Sequence, residues 1–376
     1  MSGARHLYVH LPFCSSRCGY CDFVTVVGHD EAHGGYVDAL LRELELEAGL
    51  LDSALENGVL ESVYLGGGTP TRTEPAALAR LLRALPQAAE VTVEANPETV
   101  TPELAGLLAA CGVDRVSLGA QTFSPRLLRT LDRVAQPDDV RAAFDHLRAA
   151  GIANISLDLI YGIPGQEPSD LERDLAEALA LGPEHISAYE LEAKPGTRFT
   201  HVHGAELERQ AESMESYFER AVATLTAAGY RWYETANFCR DASADAGGRD
   251  LRARHNLGYW LARDYLGLGV GAVSTIESRR WRNAPSLARY VAALARGQRP
   301  PREVEELSAE VRATERVMLG LRLDEPLELA GIEQVLDPAE VERLSEHGLV
   351  ERQQTCLRLT PRGRFLGGGV TARLLA

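Results

Sequence analysis

Lysine is all but missing from this chain: Lys194 is the only one, and arginine supplies nearly all the positive charge. With so much alanine alongside, this reads as codon usage rather than chemistry. Positive charge is short overall. The formal net charge of −15 argues against unaided, non-specific nucleic-acid binding, which needs a basic footprint. The start, Met-Ser-Gly-Ala-Arg-His-Leu-Tyr-Val-His, lacks the apolar core and cleavage pattern of a signal peptide. No uncharged apolar run approaches the roughly 18–20 residues of a membrane span. A soluble cytoplasmic protein is expected, with peripheral membrane contact left open. Cysteine is scarce as well: six in 376 residues do not make a disulfide framework in such a chain. No low-complexity segment occurs.

What is present is an alternation of short apolar runs and amphipathic stretches from residue 5 to about 195. Strands are expected at His6–Leu11, Ser62–Leu65, Glu90–Glu94, Arg115–Gly119, Asn154–Ile160 and His185–Leu191. Helical patterns lie between them, among them Tyr36–Leu51, Pro75–Leu85, Pro102–Ala110, Pro137–Ala149 and Ser169–Leu181. Prolines open the helices, and Gly112, Gly151 and Gly182 follow their ends. Such repetition implies a parallel sheet, and six units fit an incomplete (β/α)6 barrel. Its chemistry belongs at the C-terminal ends of the strands.

The rhythm changes after Pro195-Gly196. A long charged helix is expected over about 206–228, then a strand-like Tyr230–Phe238, a polar loop (240–250), His255–Trp260 and the glycine-rich Gly267–Ser274. From about 303 a compact helical pattern, with winged-helix character as one option, runs to the end. The expected domains are therefore 1–195, an extension over 196–300, and a small, mostly helical unit over 301–376.

Three of the six cysteines lie within eight residues: Cys14-Ser-Ser-Arg-Cys18-Gly-Tyr-Cys21. Three thiolates in a loop directly after the first strand can wrap one 4Fe–4S cluster and leave one iron open, where four cysteines would close it. Zinc is the alternative, but it wants a fourth ligand and usually shows paired C-x₂-C units.

This spacing, with Tyr20 before the last cysteine, resembles the radical S-adenosylmethionine (SAM) superfamily signature. The resemblance implies that Cys14, Cys18 and Cys21 hold the cluster. Its open iron then binds SAM, which one electron cleaves to a 5′-deoxyadenosyl radical. The run Gly66-Gly67-Gly68-Thr69-Pro70 resembles the family's motif for the SAM ammonium group, since glycines let backbone approach a ligand closely. Over almost the whole chain the sequence is similar to the oxygen-independent coproporphyrinogen III oxidase-like subfamily, including Asp158-Leu-Ile-Tyr-Gly-Ile-Pro-Gly165. That similarity assigns Tyr8, Tyr20, Gly67, Gly68, Thr69, Glu94, Gln121, Arg133, Asp158 and Val273 to SAM. Taken one at a time, the polar residues at strand ends also fit a solvated or capping role.

Within the subfamily the chain resembles the haem-chaperone (HemW) branch. The oxidase carries a fourth cysteine where Phe23 stands, and a long covering segment ahead of its cysteines for which there is no room before Cys14. His255-Asn256-Leu-Gly-Tyr259-Trp260 matches the branch's His-Asn-x-x-Tyr-Trp motif, which implies that His255, Asn256, Tyr259 and Trp260 handle haem. A structural role for the same residues, His255 capping a helix and the two aromatics in the core, is the alternative. Val273 and Ala135 stand where the branch usually has histidines. The function expected is a haem chaperone that passes haem, its cargo, to an acceptor haem protein, with a membrane respiratory enzyme as the first candidate. Its cofactors are the cluster and SAM, an electron donor serves the cluster, and monomer and dimer stay open. Porphyrinogen oxidation and radical methyl transfer are the alternatives.

Overall fold

The structure is a computed structural model and describes residues 3–51, 58–194, 198–241 and 248–375. The expected strands form where the apolar runs stand. They are β1 (His6–Leu11), β4 (Ser62–Gly67), β5 (Val91–Ala95), β6 (Arg115–Gln121), β7 (Asn154–Tyr161) and β8 (His185–Glu190). Two short strands, β2 (Phe13–Cys14) and β3 (Val26–Val27), stand apart from that sheet. Both faces of the central strands are buried, as in parallel sheets covered by helices.

The connecting helices are α1 (His33–Glu47), α2 (Pro75–Ala84), α3 (Pro102–Ala110), α4 (Pro125–Thr130), α5 (Pro137–Ala149) and α6 (Pro168–Leu181). Proline at the first helical position fits because its missing N–H would be unpaired there anyway. Reciprocal bonds between Gln136 and Asp139, and between Glu167 and Asp170, close the starts of α5 and α6. Gly182 ends α6 at φ 69°, a conformation that favours glycine. Helix α4 was not among the helices expected.

Beyond β8 lie α7 (Arg198–Gln210), α8 (Met214–Ala227), β9 (Tyr230–Trp232), β10 (Asn237–Arg240), α9 (Arg254–Trp260), β11 (Tyr265–Leu268), β12 (Val273–Ile276), β13 (Arg279–Asn283), α10 (Leu287–Ala295) and β14 (Arg302–Glu306). One mixed sheet results, in the order β14-β13-β12-β11-β1-β4-β5-β6-β7-β8-β10-β9. Pairing is parallel from β11 through β8 and antiparallel at both ends, so this is an open, barrel-like sheet rather than a closed barrel.

Three expectations need correcting. The charged helix is two helices, broken by a 3₁₀ turn at Ala211–Ser213. Tyr230–Phe238 is a hairpin, because Glu234 accepts from Ala236 N and Asn237 Nδ2 and turns the chain back. Arg302–Glu306 pair with β13, so they belong to the large sheet and not to a unit starting at 301. The last segment is mostly helical, as expected. Around α11 (Ala309–Gly320), α12 (Pro338–Glu346), α13 (Pro361–Phe365) and α14 (Gly367–Leu374) it holds a small sheet, β15 (Leu327–Glu328), β17 (Cys356–Leu359) and β16 (Val350–Gln353), over its own apolar core. Pro195-Gly196 and most of the 240–250 loop lie outside the described residues.

Candidate functional site

The cysteine loop is a closed hairpin-like excursion at the C-terminal end of β1. Phe13 pairs with Val26 and Cys14 with Val27, so all three cysteines sit between the ends of one short parallel bridge. Phe13 anchors it: its ring is buried 5.4 Å from Tyr36 and 4.1 Å from His33. Cys21 N donates to Cys18 O at 3.2 Å and tightens the turn between them. The thiols are half-buried and unbridged. Among the described residues no three His, Cys, Asp or Glu converge tightly enough to hold a single metal ion. Three thiolates can hold three corners of a cubane, whereas structural zinc takes four ligands, so the donor set fits a cluster better than zinc. Burial pushes the Cys14 and Cys21 thiols up, so loading must displace their protons.

The glycine run at the end of β4 is bonded to the chain just ahead of Cys14. Gly68 N donates to Leu11 O and Thr69 N to Phe13 O, both at 2.8 Å. Gly67 holds φ +111°, and a Cβ on Gly68 would lie 2.5 Å from the Pro12 carbonyl carbon. Beside this cradle Glu94 accepts from Tyr64 Oη at 2.7 Å and Gly67 N at 3.1 Å, and burial raises its pKa to about 7. Asp158, raised by burial as well, accepts from Ser117 Oγ at 2.8 Å and Ser156 Oγ at 3.3 Å. Gln121 sits on a β-bulge at φ 65°, a left-handed strain that clusters at functional sites. Arg133 donates to Gly119 O at 3.0 Å, to Asn96 Oδ1 at 2.8 Å and to Cys18 Sγ at 3.8 Å.

Thus Gly67, Gly68, Thr69, Glu94, Gln121, Arg133 and Asp158 gather at one end of the sheet beside the cysteines. Tyr20 packs edge-on against Phe199 at 6.2 Å. Tyr8 and Val273 meet in a cavity of about 200 Å³ that also takes in Phe23, Val24 and Tyr259.

The four haem candidates are placed otherwise. Helix α9 starts beside the N-terminal end of the sheet, where Glu90 accepts from Arg254 N at 2.9 Å. His255 is buried, with Nδ1 2.8 Å from Ser62 Oγ and Nε2 3.0 Å from Tyr259 Oη, and its ring stacks on Tyr64 at 5.0 Å. Burial holds its pKa well below the usual histidine range, so it stays neutral. Both ring nitrogens are engaged, so in this arrangement His255 has none to offer an iron. His255 does not cap the helix, as the alternative had it; its ring ties α9 to β4 instead. Tyr259 reaches the cavity beside the loop, Asn256 is half-buried, and Trp260 lies under the Arg322 guanidinium at 4.3 Å.

Comparison with known proteins places this geometry. The radical SAM superfamily model matches residues 8–178, and the HemN C-terminal domain model matches 307–366. A Mycobacterium tuberculosis (strain H37Rv) protein called "Heme chaperone HemW" is 39% identical over 98% of this chain and 94% of its own length. Its Bacillus subtilis (strain 168) namesake is 32% identical over 99% of each. The chain belongs to the HemW family. The solved structure of coproporphyrinogen III oxidase (HemN) from Escherichia coli, a radical SAM enzyme, shares the fold, with a TM-score of 0.80 and 24% identity over 99% of this chain and 90% of that one.

At this HemW-family site Asn96 was noted only as a polar residue at a strand end, and Arg115 escaped the sequence reading. Asn96, directly before Pro97 at the end of β5, bridges Arg133 and Thr69. Arg115, a charge opening an otherwise apolar strand, is buried beside Glu90 and Asp158. A charge in such a strand is a signal that sequence alone could have offered.

Proposed function

We propose that this chain is a haem chaperone: it binds haem and delivers it to an acceptor haem protein, with a membrane respiratory enzyme as the first candidate acceptor. The observation that carries this reading is the 39% identity, across nearly the whole of both chains, with a protein named for that activity. Cys14, Cys18 and Cys21 would hold the 4Fe–4S cluster. Tyr8, Tyr20, Gly67, Gly68, Thr69, Glu94, Gln121, Arg133, Asp158 and Val273 would surround SAM. The cluster supplies electron transfer when bound, drawing on a separate electron donor. Around it the protein's own part is orientation: Glu94 is held by Tyr64 and Gly67, and Arg133 by Gly119 and Asn96.

Haem uptake through His255 would require α9 to give up the bonds from Ser62 and Tyr259. Asn256, Tyr259 and Trp260 would follow as haem contacts only in that opened state. A cytoplasmic site of action is part of the proposal. Among the described residues no helix is long and apolar enough to cross a membrane.

The test is anaerobic reconstitution with iron and sulfide, then titration with haemin for wild type and His255→Ala, beside a coproporphyrinogen turnover assay. Stoichiometric haem binding without turnover supports the chaperone. SAM-dependent porphyrinogen turnover overturns it, and makes the chain an oxidase that works with Phe23 in place of the fourth cysteine.

A further inference from the structure

The ends of two strands, the loop after α4 and the cysteine loop are joined by one unbroken polar chain. Cys14 Sγ lies 3.7 Å from Thr69 Oγ1, which lies 3.0 Å from Asn96 Nδ2. Asn96 Oδ1 lies 2.8 Å from Arg133 Nη2, and Arg133 Nη1 lies 3.8 Å from Cys18 Sγ. Thr69 is buried and Asn96 half-buried, so the middle of the chain is shielded from water.

The direction of each bond in this chain is forced. A guanidinium only donates, so it must face the Asn96 oxygen. The Asn96 NH₂ group then faces Thr69, and it can only donate. Thr69 Oγ1 is thereby an acceptor on that side, and its single proton is left for Cys14 Sγ. Polarity set at Arg133 propagates through Asn96 to a cluster thiolate. We infer that Asn96 is a positioning residue, which aims the Thr69 hydroxyl at Cys14 Sγ and so sets the reduction potential of the cluster. The inference rests on the cluster being seated on Cys14, Cys18 and Cys21. Hydrogen bonds to ligating sulfur stabilise the reduced, more negative cluster and raise its potential. Sequence spacing could not show the link, because Cys14, Thr69, Asn96 and Arg133 come from four separate β/α units.

Asn96→Asp is the decisive variant because it keeps size and reverses polarity. A carboxylate accepts on both sides, so it takes the Thr69 proton away from Cys14. It also adds charge, and Thr69→Val separates the two effects. The measurement is the midpoint potential of the reconstituted cluster, by redox titration followed by electron paramagnetic resonance, without SAM. Thr69→Val should lower the potential in the wild-type background and leave it unchanged in the Asn96→Asp background. Thr69→Ser, which keeps the hydroxyl, should match wild type. Equal shifts from Thr69→Val in both backgrounds would overturn the inference, as would no shift in either. Should Asn96→Asp fail to take up iron, the Thr69→Val and Thr69→Ser pair still decides: identical potentials sink the relay. A wild-type chain that binds no 4Fe–4S cluster would instead defeat the reading beneath it.

Discussion

Ser62 and His255, 193 residues apart in sequence, share a 2.8 Å hydrogen bond that fastens α9 to the first residue of β4. The same hydroxyl lies 2.8 Å from His6 Nδ1. Helix α9 therefore acts as a plug that starts at the N-terminal end of the sheet and reaches, through Tyr259, the cavity beside the cysteine loop. His255→Ala strands the Tyr259 hydroxyl, leaves Ser62 with His6 alone, and opens a void against Tyr64. The expected cost is about 3 kcal/mol, seen as a fall of about 4 °C in the melting temperature of the cluster-free protein. Unchanged melting would show that the ring is free for another task and would favour its haem role.

Gly68 tests the join between the glycine run and the cysteine loop. An alanine methyl there would press on the Pro12 carbonyl, a backbone group that cannot swing aside. The strain falls on the two bonds that align Leu11 and Phe13 with the run, directly ahead of Cys14. Gly68→Ala should keep its circular dichroism spectrum and lose more than half of the iron retained after reconstitution. Full iron retention would mean that the cradle and the loop are set independently.

The parallel strands were legible because each is a short run rich in apolar and β-branched residues, and most of the helices between them open with proline. What was misread lacked such punctuation. Ala211-Glu212-Ser213 breaks a helix without glycine or proline, and Glu234 turns a hairpin through its side chain. At the site, Glu94, Gln121 and Asp158 stood out as polar groups at strand ends. The place of α9 was invisible, since periodicity shows that a helix exists and not which end of a sheet it covers. The partners of Asn96 were hidden for a related reason: they come from other β/α units.

Glu94 makes stability depend on pH in a direction that can be worked out. Its carboxyl ionises near 4.5 in the unfolded chain and near 7 in the fold, raised by burial. Between these values the native state holds the extra proton, so stability falls as pH rises through that window. The penalty, on the order of 3 kcal/mol, is complete above pH 7 and absent below about 4.5. In Glu94→Gln the amide oxygen can accept from Gly67 N while the NH₂ donates to Tyr64 Oη. The variant should therefore gain melting temperature over wild type at pH 8, and the gain should shrink towards pH 5. A difference that does not change with pH would show that Glu94 is not the group responsible.

Arg115 is the charge around which the floor of the sheet is built. Burial works against its guanidinium, yet the nearby carboxylates, Glu90 foremost and Asp158 after it, favour the charged form and keep it cationic. Burial raises Glu90, and Arg115 is the leading influence against that. Glu90 in turn holds the start of α9 through Arg254 N, so the cation supports the plug at one remove. Arg115→Met keeps much of the volume and removes the charge, leaving Glu90 and Asp158 buried without it. Losing one of the two buried charges leaves the other without its opposite charge, whereas neutralising both costs far less. Glu90→Gln in the Arg115→Met background should therefore recover most of the lost stability, because glutamine can still accept from Arg254 N. Chemical denaturation of the two single variants and the double variant checks this. Losses that simply add would mean that Arg115 serves Asp158 and the upper end of the sheet, and that the plug stands without it.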